Sequence, residues 1–242
     1  MSEVLVRFSR AGGRPPADDE RIEVRADGSF AAHRTVGGAR IGRFAGRLPD
    51  GELGALTDEV AACRGLAALW IETPRDGATE TVELDEADEV AASLGSNARP
   101  PKPWAALVER LRDLLDGATA HPDAVLELVA DAGGARLVAA GPGSIEVDAA
   151  TTEVRLVHLD ATGVPAWRWG VSSGDPAAGE HRWEPTAPGW SRELPFEAPP
   201  ALAAGEWLQV WVFVTLRSQV VRRGRLFVAV PAPGSTARRS SP

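Results

Sequence analysis

Apolar residues near the start of the chain recur at every second position. VLVRF puts Val4, Val6 and Phe8 on one face, and RIEVRA does the same with Ile22, Val24 and Ala26, the period of a half-buried strand. Asp27-Gly28 supplies the pair of residues a tight hairpin needs, and SFAAHRTV runs back from it. ARIGRFAGRL continues as a further strand. The period then changes. After the break at Pro49-Asp50-Gly51, Leu53, Leu56, Val60 and Cys63 recur at helical spacing until Gly65, which suits a helix C-cap. LAALWIET and ATETVEL read as two strands around the turn PRDG, followed by a solvated acidic connection at Asp85–Glu89 and the polar stretch SNARPPKP. A second helix follows, with Trp104, Leu107, Val108, Leu111, Leu114 and Leu115 as its apolar stripe and Gly117 closing it.

From about His121 the helical period disappears. AVLELVA, ARLVAA, SIEV, EVRLVHL, AWRWGV, EHRW, WSRELPF, WLQVWVFVTL and RLFVAV are short apolar segments separated by Gly, Pro and Asp, the mark of seven to nine short strands in a β-sandwich. The boundary between the two patterns falls in DGATAHPD, residues 116 to 123, and the last segment, PAPGSTARRSSP, has the composition of a disordered tail. The expected organisation is therefore an α+β N-terminal domain over 1–117, with an antiparallel sheet and two helices, an all-β sandwich domain over 121–231, and a tail over 232–242. The chain's 242 residues suit two small domains.

Composition removes several functional classes. The net charge of -8 argues against nucleic acid as a partner, because a phosphate backbone rewards a basic surface. No apolar run reaches the roughly 18 residues of a membrane helix, and MSEVLVRFSR lacks the pattern of a secretory signal. A single cysteine, Cys63, cannot pair within the chain, so a cytoplasmic location is expected. Neither G-x-G-x-x-G nor GxxxxGK[ST] occurs, which gives no support for a nucleotide cofactor. His33, His121, His158 and His181 are too widely separated to form a metal pair, so no metal or other cofactor is expected.

The most enzyme-like string is Gly170-Val171-Ser172-Ser173-Gly174. A hydrolase would place Ser172 on a sharp turn from strand into helix, whereas here a turn follows with no helix after it, so a polar turn is the simpler reading. Tryptophan is the real anomaly. Six of the eight fall in the C-terminal half, where Trp167 and Trp169 share one side of a strand with Arg168 on the other. In WLQVWVFVTL the aliphatic residues Leu208, Val210, Val212, Val214 and Leu216 form one face, while Trp207, Gln209, Trp211, Phe213 and Thr215 form the other, as packing, as a partner surface or as a sugar-stacking platform. RSQVVRRGR gathers Arg217, Arg222, Arg223 and Arg225 at what reads as a hairpin tip, able to clamp an acidic partner.

Two resemblances add to this. Asp160-Ala161-Thr162-Gly163, Trp167-Arg168-Trp169 and Leu202-Ala203-Ala204-Gly205-Glu206 together make the C-terminal half similar to the bacterial intracellular proteinase inhibitor domain called BsuPI, which implies an Ig-like sandwich. The opening VRFSRAGG, the ADGSF hairpin and GRLPDGELGALTDEVAA make the N-terminal half resemble the emfourin group of small metalloprotease inhibitors, through Arg10, Gly12 and Gly13 above all. Neither family implies a catalytic residue. Together they imply a non-enzymatic protein-binding module, with a peptidase as the specific partner. Arg10, Gly12 and Gly13 of the opening, Trp167 and Trp169 of the tryptophan strand, and Arg222 and Arg223 of the arginine tip are the candidate partner surface. The alternatives are an interaction or scaffold protein with an unrelated partner, and a serine hydrolase using Ser172.

Overall fold

The computed structural model describes residues 3–12, 20–36, 38–72, 77–85, 90–95, 98–131, 133–172, 181–197, 199–217 and 221–232. These divide into two compact units. The first comprises Met1–Thr35 and Gly42–Asp123, the second Val36–Ile41 and Ala124–Pro242.

In the first unit the strands are β1 (Val4–Gly12), β2 (Glu20–Arg25), β3 (Ser29–Val36), β4 (Arg40–Arg47), β5 (Leu69–Ile71), β6 (Ala78–Leu84) and β7 (Val90–Gly95), laid out in the order β4-β3-β2-β1-β6-β7-β5. Helix α1 (Asp50–Cys63) buries Leu56, Val60 and Cys63, and helix α2 (Trp104–Gly117) buries Trp104, Leu107, Val108, Leu111 and Leu115. The helices pack on each other and on β1 and β2. Asp50 and Glu52 in the first turn of α1 complement the positive end of its dipole, and Gly65 just beyond it takes the left-handed φ of +75° that only glycine adopts cheaply. At Asp27-Gly28 the hairpin between β2 and β3 closes with Gly28 at φ +82°. There the Asp27 side chain accepts from the N–H of Ser29.

The second unit contains β8 (Pro122–Ala130), β9 (Ala135–Ala140), β10 (Glu146–Asp148), β11 (Glu153–Leu159), β12 (Pro165–Ser172), β13 (Trp183–Pro185), β14 (Ser191–Glu193), β15 (Trp207–Arg217) and β16 (Val221–Pro231). One layer runs β14-β9-β8. The other runs β12-β11-β15-β10-β13, with β16 along the opposite edge of β15. Between them lies a core that includes Leu126, Leu128, Leu137, Val147, Val154, Leu156 and the inward row of β15 from Leu208 to Leu216. The fold of this unit is β-rich and sandwich-like. The segment Val36–Ile41, which runs from the end of β3 into the start of β4, completes it. Ile41 enters the core, Ala39 C=O accepts from Leu128 N–H, and Gly38 C=O accepts from Phe227 N–H.

The expected α+β N-terminal domain with an antiparallel sheet and two helices is corrected, whereas the sandwich expected after it agrees with the β-rich, sandwich-like second unit. Strand dominates throughout, with sixteen strands against two α-helices among the described residues. The sheet of the first unit is also mixed, because β5 pairs with β7 in parallel. LAALWIET and ATETVEL are not a hairpin. β6 lies between β1 and β7, and β5 stands beyond β7 at the end of the order. The physical reason is that helical periodicity is conspicuous in sequence, whereas the number of paired strands and their direction depend on contacts distant in the chain. The tail expected to be disordered lies outside the described residues beyond Ala232.

Candidate functional site

The two sides of β15 differ as the alternation in WLQVWVFVTL requires. Leu208, Val210, Val212, Val214 and Leu216 are buried, while Trp207, Gln209, Trp211 and Phe213 are half-buried on the outer side. Register then builds that side into rows. Arg155 lies between Trp211 and Gly170, Val157 between Gln209 and Arg168, and Glu153 between Phe213 and Ser172. Arg155 sits 4.9 Å above the Phe213 ring and its Nε donates to Glu153 at 2.5 Å. Arg225 lies 5.6 Å from the Trp211 ring, whose centroid is 4.4 Å from that of Phe227. The rings are thus engaged with arginines and with one another, which is a packed aromatic–arginine layer and not a set of bare stacking platforms.

Beside this layer the surface is open. A groove of about 750 Å3 follows β11 and β12, lined among others by Glu153, Arg155, Arg168, Gly170, Ser172 and Gln209. β12 is the last strand of its sheet. β11 covers one of its edges, and no described strand covers the other. Along it Trp167 and Trp169 turn inward onto the core yet stay half-exposed, and Arg168 points outward, exposed, with no carboxylate partner among the described residues. The flanking apolar residues are also accessible, Val164 at 57% and Val171 at 36%.

The turns that bound this region are closed by carboxylates. Asp160 Oδ1 accepts from the N–H of Thr162 at 2.8 Å, its hydroxyl at 2.7 Å and the N–H of Val164 at 2.9 Å, which holds Asp160 below the ordinary carboxylate range. Glu206 Oε2 accepts from Ala203 N–H at 2.7 Å and pairs with His158 Nε2 at 2.9 Å, with the same effect on its acidity. The Asp-x-x-Gly and Leu-x-x-Gly-Glu segments are therefore self-closing turns that fix where β12 and β15 begin.

A second polar cluster surrounds Asp148, which is fully buried. It accepts from the N–H of Ala150 at 3.0 Å, the N–H of Arg182 at 2.9 Å, the Thr151 hydroxyl at 2.8 Å and His181 Nδ1 at 2.8 Å. Burial pushes this carboxyl up, but the four donors, His181 first, outweigh it and bring it down to about 2. His181 is 38% exposed on its side chain and rests 4.9 Å from the Trp183 ring. An imidazole held through Nδ1 by a carboxylate is the form a general base uses. Ser172, however, is an exposed strand residue at the end of β12, and the turn read after it lies outside the described residues. No His, Cys, Asp and Glu grouping among the described residues could hold a metal ion.

The other residues singled out in the sequence have varied placements. Arg10 is part of an internal network, with Nε 3.3 Å from Glu80 and Nη1 3.6 Å from Glu20. Glu80, only 1% exposed, is also gripped by Arg112, and Glu20 by Arg34 at 3.2 Å. Gly12 ends β1 at φ +77°, and Gly13 lies outside the described residues, as do Ser173 and Gly174. Arg222 and Arg223 are strand residues of β16, opposite Leu216 and Thr215, and their side chains are outside the described set. Trp167 and Trp169 are brought together on β12. Sequence reasoning passed over Arg155 and Asp148. Their one signal was strand alternation, which assigns a face but not the neighbours across it.

No family model, curated protein or solved structure matches the chain. No helix is long and apolar enough to cross a membrane among the described residues.

Proposed function

We propose that the chain is a non-enzymatic protein-binding module whose second unit receives an extended segment of a partner along β12. The observation that carries this reading is the open edge of an eight-residue strand with a groove beside it. Unpaired N–H and C=O groups on a sheet edge are a template for another strand, and proteins that do not use such an edge usually cover it or blunt it with charge. The resemblances to emfourin and BsuPI support a peptidase as the partner, since a peptidase presents and handles extended chain. A cytoplasmic setting is supported by cysteine usage, since Cys63 is the single cysteine of the sequence and is free and buried.

The test is amide hydrogen exchange on the full chain with and without ligands selected from a displayed library of random peptides. The expected result is slowed exchange concentrated in Pro165–Ser172. Ligands that slow exchange only elsewhere would overturn the strand-addition reading. Adding the chain to a panel of metallo-, serine and cysteine peptidases tests the partner class, with slowed substrate turnover as the expected result.

A further inference from the structure

We infer that the segment received by β12 alternates apolar and acidic residues, an inference that rests on the strand-addition reading above. Successive residues of an added strand point to opposite faces of the sheet, so each face of β12 states its own requirement.

On the inner face the requirement is apolar. Trp167 and Trp169 pack against the core of the second unit but are left half-exposed at its rim. Inward side chains of an added strand would cover these rings and lengthen the hydrophobic row by one strand. A polar residue at those positions would lose its water against indole without a partner to replace it.

On the outer face the requirement is acidic. Arg168 is exposed and has no carboxylate partner among the described residues, whereas the nearby Arg155 is already bonded to Glu153. The outer-face positions flanking Arg168 on its own strand are Ala166 and Gly170, which carry no side chain longer than a methyl, and the residue opposite it on β11 is the uncharged Val157. A glutamate or aspartate opposite or diagonal to Arg168 fits this gap and can be met by two parallel N–H bonds. The complementarity is local, since the chain as a whole carries a charge of -8 and repels acidic ligands at long range. A second copy of this chain is disfavoured as the occupant, because two chains of charge -8 repel each other and a second β12 offers an arginine, not a carboxylate, to Arg168.

The experiment uses three acetylated octapeptides with the full chain: one alternating valine and glutamate, one alternating valine and lysine, and the glutamate peptide with alternate amides N-methylated. Binding is read by fluorescence anisotropy and by amide exchange in β12. The expected order is that the glutamate peptide binds at least tenfold more tightly than the lysine peptide, and that N-methylation abolishes binding. Arg168→Glu should reverse the preference between the two unmethylated peptides, while Arg168→Lys keeps it. Equal binding of the two with β12 protected would overturn the acidic specificity and leave strand addition standing. If neither peptide protects β12, the proposed function falls with it. Protection of β12 that rises with protein concentration in the absence of peptide would assign the edge to a second copy and overturn the inference.

Discussion

Asp148 and Glu20 are two largely buried carboxylates whose surroundings act on them in opposite ways. At Asp148 the donors win over burial and the folded value is about 2, below the roughly 3.9 of an unfolded aspartate. The stability it supplies is therefore fully present above about pH 4 and is lost as the pH falls toward 2, an effect on the order of 2 kcal/mol. At Glu20 burial is the largest influence and raises the carboxyl despite Arg34 and Arg10, so its contribution runs the other way and is lost as the pH rises through its folded value. Asp148→Asn isolates the first effect. Urea unfolding at pH 7 should show a loss of about 2 kcal/mol, and the gap between variant and wild type should close as the pH is lowered from 4 to 2.5. A gap that stays constant over that range would show that the His181 and backbone donors do not act on the charged form.

Two glycines in strands make a sharper test of packing than any of the large residues. A methyl group at Gly46 of β4 would lie 2.8 and 2.9 Å from the Phe30 ring, which is rigid and buried. One at Gly224 of β16 would meet Ile41 Cδ1, the far end of a side chain that can rotate. Gly46→Ala should therefore cost about 2–3 kcal/mol and Gly224→Ala less, about 1 kcal/mol, as measured by denaturant midpoints. The same contrast between local and distant determinants explains how much was legible in the sequence. The stripe of α2 and the alternation of β15 needed only neighbours a turn or two residues away, and both lie where the spacing puts them. β7 was missed because Val90-Ala91-Ala92-Ser93-Leu94-Gly95 is rich in weak strand formers and owes its conformation to pairing between β6 and β5. The candidate site had the same difficulty. Arg168 could be assigned a face from Trp167 and Trp169, but that β12 ends its sheet follows from the order of five strands, which no residue of AWRWGV encodes.

At the scale of the whole molecule the second unit is discontinuous in sequence, since Val36–Ile41 belongs to it. A cut at the boundary near His121 therefore does not yield two complete pieces. Fragment 124–232 loses Ile41 from its core and the acceptors that Gly38 and Ala39 offer to Phe227 and Leu128. It should unfold at a lower urea concentration than the same unit in the full chain, by the equivalent of about 2–4 kcal/mol, and a synthetic peptide spanning 35–42 added in excess should recover part of the loss. Equal stability of fragment and full chain would make the borrowed segment incidental. Its timing during synthesis is a separate matter. Gly38 leaves the ribosome well before Phe227, which follows it by 189 residues (227 minus 38). At roughly 5–20 residues per second the interval is on the order of ten seconds or more. Through that interval the nascent chain carries Ile41 with its core still incomplete, so the second unit closes only after β16 has been made. Premature termination anywhere before β16 leaves an apolar stub that quality control can recognise.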